Sequence, residues 1–173
     1  MLRDPDLLEL LESIDTQPWS GLVYRVAWKG RDPAQGSSGK KGRWSSPRGE
    51  FEILYTSLEK LGAEAEFEAF WMLFEQRPDR PALTHTLRIR LNKVIRLDYS
   101  MLDNLGVPEA KYEDRNYGRT QEIADAINFL EYDALISPSA RYPCKNATIF
   151  IQNLPRDFEL KPTESFEFRW SVS

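Results

Sequence analysis

Glu66 is the carboxylate whose position in this sequence asks for an explanation. Residues 61–76 carry Ala63, Phe67, Phe70 and Phe74 at i, i+4, i+7 and i+11, the apolar stripe of a helix. Glu64, Glu68 and Glu75 cluster on a side expected to be solvated. Glu66 instead falls three residues after Ala63 and four before Phe70, inside the stripe. A carboxylate there is costly unless it is paired or lines a cleft, where it marks a candidate functional site. A head group reaching solvent from the stripe's edge, or a buried salt bridge, are the alternatives.

Arg25 is the second candidate, set inside a strand between Tyr24 and Val26. Its planar fork suits a phosphate or carboxylate; the alternative is an outward arginine on a half-exposed strand. Ser137-Pro138-Ser139-Ala140-Arg141 follows a short apolar strand, a place where loops carry sites. No Gly-x-Ser-x-Gly elbow, Walker A or Gly-x-Gly-x-x-Gly pattern occurs. The chain has one histidine, His85, and one cysteine, Cys144, which argues against a Ser-His-Asp hydrolase, multi-histidine zinc sites and an internal disulfide framework. His85 reads as a surface or packing residue and Cys144, after Pro143, as a small structural one. The five tryptophans are mostly core candidates, although Trp44 lies in a basic loop and can face a ligand.

That loop is the outlier in charge. Between Lys29 and Arg48, six basic residues oppose Asp32 and give the window +5, on a chain of net charge −4. A local cationic patch on an acidic chain of pI 5.2 suits a small anionic ligand better than a nucleic-acid backbone. A solvated basic loop is the plainer reading.

The elements that must position these residues follow from patterning. Asp4-Pro5 opens a short helix with Leu7, Leu8, Leu11 and Ile14 on one side, over residues 5–15. Gly21 ends that region, and 22–28 and 51–57 read as strands. Residues 30–42, rich in Gly and Ser, form a flexible loop. Residues 86–91 alternate as a strand, a helix starts near Thr120 as N-cap, and 133–136 and 147–151 are short strands. The tail alternates Phe166, Phe168, Trp170 and Val172 with polar residues, predicting a strand over 165–173. Strands scattered among too few helices for βαβ alternation predict an α+β fold with a largely antiparallel or mixed sheet. With 173 residues, 41% hydrophobic and mean hydropathy −0.53, one soluble domain is expected. No membrane span or signal peptide is expected, and a cytoplasmic location fits the single cysteine.

Taken together, four stretches resemble the RES-domain family, toxins of bacterial RES–Xre toxin–antitoxin pairs. Tyr24-Arg25-Val26 looks like the family's arginine strand, and Gly42-Arg43-Trp44-Ser45-Ser46-Pro47 like its Gly-Arg-Trp-Asn loop. Leu54-Tyr55-Thr56-Ser57, then Ala63 and Glu66, reproduces a tyrosine-to-glutamate spacing of eleven. Tyr117 through Thr120-Gln121-Glu122-Ile123-Ala124, then Ile136-Ser137-Pro138-Ser139-Ala140-Arg141 and Asn146, resembles the C-terminal portion. The match spans about residues 22–151. Ser45 stands where the family usually has Asn and Lys41 where a second Gly is common; the tail after about residue 152 matches no family motif.

The resemblance implies an ADP-ribosyltransferase-like fold, a split, mostly antiparallel sheet with surrounding helices around an NAD cleft. It implies cleavage of the NAD nicotinamide–ribose bond by water or inorganic phosphate, with NAD as substrate and neither cofactor nor metal. In that scheme Glu66 stabilises charge on the ribose, Arg25 and Arg43 grip the pyrophosphate, and Tyr55 packs on the nicotinamide. Ser139, or the nearby Ser137, bonds the nicotinamide or its ribose, with Trp44 and Asn146 completing the NAD site. An Xre-family antitoxin is the implied protein partner, with no membrane and no direct nucleic-acid contact. A transferase that modifies a macromolecule, or an inactive binding module, are the competing readings.

Overall fold

The computed structural model describes residues 3–171. Helix α1 (Pro5–Glu12) starts where Asp4 accepts the Asp6 N–H at 3.0 Å and Pro5 presets the first turn. Strands β1 (Gln17–Trp28), β2 (Ile53–Ser57), β3 (Ala82–Arg96), β4 (Ala134–Pro138) and β5 (Lys145–Phe150) ring into a barrel, with β6 (Glu159–Glu167) on the outside. Helix α2 (Lys60–Trp71) follows β2, the short α3 (Tyr99–Asn104) follows β3, and α4 (Gly118–Phe129) precedes β4. The architecture is therefore α+β with a mostly antiparallel sheet; only β3 and β4 run parallel. Among the described residues no helix is long and apolar enough to cross a membrane.

Where a split sheet was expected, the strands close on themselves, because β3 is long enough to serve three neighbours. One edge pairs with β1 from Trp28↔Ala82 to Gln17↔Val94; the other pairs first with β6 and then, at Val94–Arg96, with β4. The junction of β1 with β2 is a single register pair, Tyr24↔Ser57, and this seam faces the cleft described below. Leu87, Ile89 and Leu91 point into the barrel with Val23, Leu54 and Ile149, while Arg88 and Arg90 face out, as the alternation requires.

Two further layers cover the outside. Leu11, Leu102, Ile123 and Ile127 of the helices pack on Ile53, Leu135 and Phe150. Helix α2 lies over β1, where Ala63 and Phe67 meet Val26, Trp28, Phe168 and Trp170.

Several sequence expectations shift. Helix α2 stops at Trp71 and does not reach residue 76. Thr120 is not the N-cap of α4: Tyr117 holds that place, and the Thr120 hydroxyl donates back to its carbonyl at 3.1 Å. Gly21 lies within β1, under the Trp19 ring, and the last strand runs over 159–167. Phe168 and Trp170 follow that strand as packing residues, and Val172 lies outside the described residues.

Candidate active site

A cleft of about 1160 Å³ opens between α2, the basic loop and the Tyr112–Gly118 segment. Helix α2 can sit close against the ends of β2 and β5 because of Gly62: a Cβ there would overlap Ser57 Oγ and Cys144 Sγ. One turn later this placement delivers Glu66 to the β4–β5 turn. Ser139 Oγ donates to Glu66 Oε1 at 2.7 Å, and Asn146 Nδ2 donates to the same oxygen at 3.0 Å. The turn's own amides, Arg141 N at 3.2 Å and Tyr142 N at 3.3 Å, donate to Ser139 Oγ, so its hydrogen is directed at the carboxylate. Among the described residues no donor reaches Oε2. Three residues singled out separately in the sequence thus form one unit, and the stripe carboxylate is the kind that is hydrogen-bonded and lines a cleft. Ser137 is buried beside Tyr112, away from Glu66's hydrogen bonds.

The basic loop is fastened at its centre by Tyr55. The Tyr55 hydroxyl accepts the Trp44 N–H at 3.0 Å and lies 2.9 Å from Ser45 Oγ, which accepts the Gly42 N–H at 3.1 Å. Burial under this loop pushes the Tyr55 hydroxyl up to about 12. From α4, Gln121 Nε2 donates to the Lys40 carbonyl at 2.8 Å and the Gly42 carbonyl at 2.9 Å. Arg43 lies over the rings of Tyr112 and Tyr117, 4.5 and 4.9 Å from their centroids, and donates to the Tyr112 carbonyl. Tyr112 in turn donates to the Pro138 carbonyl at 2.7 Å, and burial raises its hydroxyl to about 12.

Trp44 differs from its expected place. Its side chain is 3% exposed and packs in the helical core, so it supports the cleft wall from behind. Arg25 lines the cleft at the seam and donates to the Tyr55 carbonyl at 3.3 Å, while its buried Nε has no partner. Burial lowers its pKa, and Asp32 partly offsets this. His85, its partner across β1 and β3, is 7% exposed and bonds Ser165 through Nδ1 at 2.9 Å, a packing role. Cys144 lies 3.4 Å from Ser57 Oγ, and burial pushes its thiol up, away from the thiolate a nucleophile needs.

The cleft's charge is one-sided. Arg25, Arg31, Lys40, Lys41, Arg43, Arg115 and Arg141 line it, and Glu66 is its one carboxylate among the described residues. None of these seven cations makes an ion pair among the described residues; Arg115 and Arg141 donate to the carbonyls of Ala69 and Glu113. Arg48 leaves the basic cluster to pair with Glu50, near Asp125. Seven cations around one oriented carboxylate are the side chains with which a cleft can hold an anion and place a negative charge beside it. Gln121, Tyr112, Arg115 and Arg141 had no role in the sequence reading. Arg141 and Gln121 lie within recognisable motifs, but Gln121 acts through backbone carbonyls, which leave no mark in side-chain patterns.

Comparison with known proteins bears on the fold and the family. No curated protein sequence matches the chain. A chain of the crystal structure of the M. tuberculosis MbcT–MbcA toxin–antitoxin complex has a similar fold, with TM-score 0.79 and 19% identity over 95% of this chain and 93% of that one. The family model for the RES domain matches residues 21–171, including the tail that the motifs left out. The chain belongs to the RES-domain family.

Proposed function

We propose that this chain is the toxin of a toxin–antitoxin pair and destroys NAD by breaking its nicotinamide–ribose bond, in a cleft that works as an ADP-ribosyltransferase-like site. The observation that carries this reading is a single carboxylate, Glu66, held by Ser139 and Asn146 in a cleft otherwise lined by cations. The N-glycosidic bond breaks with its electron pair passing to the pyridinium nitrogen, so nicotinamide leaves neutral. The ribose carbon gains oxocarbenium character. Glu66 faces that developing charge, and Arg25 and Arg43 hold the pyrophosphate. An oxygen of water or inorganic phosphate then bonds to the carbon and loses its proton to solvent, giving ADP-ribose or its phosphate ester. The protein's part is positioning and electrostatics.

The neighbouring fold belongs to a toxin–antitoxin complex, which supports an antitoxin partner here, Xre-type by the family resemblance; the proposed place of action is the cytoplasm, where NAD and such a partner would meet the chain. Proton NMR of NAD with the purified chain, with and without phosphate, tests the reaction. Nicotinamide release supports it, and dependence on phosphate selects phosphorolysis over hydrolysis. An unchanged NAD spectrum in both conditions overturns it and leaves transfer to a macromolecule or an inert module.

A further inference from the structure

The apolar stripe of α2 does not stay buried. Ala63 is 7% exposed and Phe67 is enclosed by Trp28, Phe168 and Trp170, but Phe70 and Phe74 are 39% and 44% exposed, and both line the cleft. Phe70 follows Glu66 by one turn, ~6 Å of helix rise, and Phe74 follows past the end of α2. Their ring centroids are 5.5 Å apart at 62°, and Phe70 also packs edge-on against Trp71 at 5.1 Å. Arg115, bonded to the Ala69 carbonyl, sets a guanidinium beside this rim. Exposed aromatics gathered at a cleft mouth call for an occupant.

The occupant is constrained by what shares the cleft. One ligand must offer a flat apolar face to the phenylalanines, an anionic bridge to the cations, and a reacting centre to Glu66. A dinucleotide carries all three parts. Resting on the NAD reading above, we infer that Phe70 and Phe74 form a base subsite that stacks the adenine, the ring distal to the bond that breaks. The subsite sets a preference for the dinucleotide over nicotinamide mononucleotide.

The test uses the full chain with Phe70→Ser, Phe74→Ser and the aromatic control Phe74→Tyr. Turnover of NAD and of nicotinamide mononucleotide is measured, and ADP binding is followed by calorimetry. Each serine variant should weaken ADP binding about tenfold, in line with base–aromatic stacking. The loss of kcat/KM on NAD should exceed that on the mononucleotide by a similar factor, and Phe74→Tyr should keep most of both. Equal losses on the two substrates, or unchanged ADP binding in folded variants, overturn the subsite; a rim that serves only a protein partner or a second copy gives this result. If the wild-type chain leaves NAD intact, the NAD reading fails separately. The ADP titration then decides the base subsite alone: a tenfold loss supports it and no change overturns it.

Discussion

Ser139 Oγ donates to Glu66 Oε1 at 2.7 Å, joining the end of β4 to the middle of α2 across 73 residues of chain. Asn146 adds a second donor from β5 to the same oxygen. A carboxylate anchored by one oxygen is fixed in direction yet keeps the other for a ligand, the preorganisation that electrostatic catalysis requires.

Glu66→Gln should separate charge from position. The amide oxygen still accepts from Ser139 and Asn146, so the melting temperature should move by no more than a degree or two, while NAD cleavage falls about a hundredfold or more. Nicotinamide release by NMR and a thermal melt on the same sample check both halves. Full turnover in the variant removes Glu66 from the reaction.

The two serines give a second prediction. Ser139→Ala removes the hydrogen bond to Glu66 and the acceptor of two turn amides, so kcat should drop about tenfold, the value of a bond to a charged group. Ser137→Ala leaves the Glu66 hydrogen bonds untouched and should cost far less. Steady-state rates of the pair decide it; a larger loss from Ser137→Ala would move the role to that residue.

Much of this site was legible in sequence because its parts break local patterns. Glu66 interrupts an apolar stripe, and the basic window contradicts the chain's acidic balance. The long β3 was not fully legible: Lys93, directly after Asn92, breaks the alternation where the strand passes from β6 to β4, and that handover depends on tertiary pairing. β6 gave little signal because most of its residues are exposed. Phe70 and Phe74 were legible as apolar but not as exposed, since periodicity reports a stripe and not where the sheet beneath it ends.

Loop anchoring yields a third prediction. A Cβ at Gly42 would overlap the Tyr55 hydroxyl and come within 2.7 Å of Ser45 Oγ. Gly42→Ala must therefore push the loop off its clasp, and Gln121→Ala releases its other tether. Both should raise KM for NAD several-fold through misplaced Lys40, Lys41 and Arg43, with a smaller effect on kcat. Saturation curves test this; a fall in kcat alone with KM unchanged would contradict it.

Alkaline pH should loosen the same region. Tyr55 and Tyr112 have hydroxyls raised by burial to about 12, above the ordinary value near 10, so the folded state holds their protons more tightly. Their contribution is fully present below about pH 10 and is lost as pH rises toward 12, on the order of 2 kcal/mol for each. Denaturant unfolding at pH 9, 10.5 and 11.5 should show that decline, and Tyr55→Phe should flatten it. A wild-type stability that stays constant to pH 11.5 would refute the assignment.

Arg25 carries the last prediction, because its demands in the free and bound protein oppose each other. Its side chain is largely buried, its Nε has no partner, and its recorded hydrogen bond is to a carbonyl rather than a carboxylate. Removing an incompletely paired buried charge is often neutral or stabilising, so Arg25→Ala without ligand should melt no lower than the wild type. With substrate the sign reverses. A pyrophosphate oxygen supplies the missing acceptor, so the variant should need at least tenfold more NAD for half-saturation while kcat changes little. Arg25→Lys should restore the charge but not the planar fork, recovering only part of the affinity. Melts with and without ADP-ribose, beside saturation curves for the three proteins, measure both signs; an unchanged saturation curve for Arg25→Ala would take Arg25 out of the site.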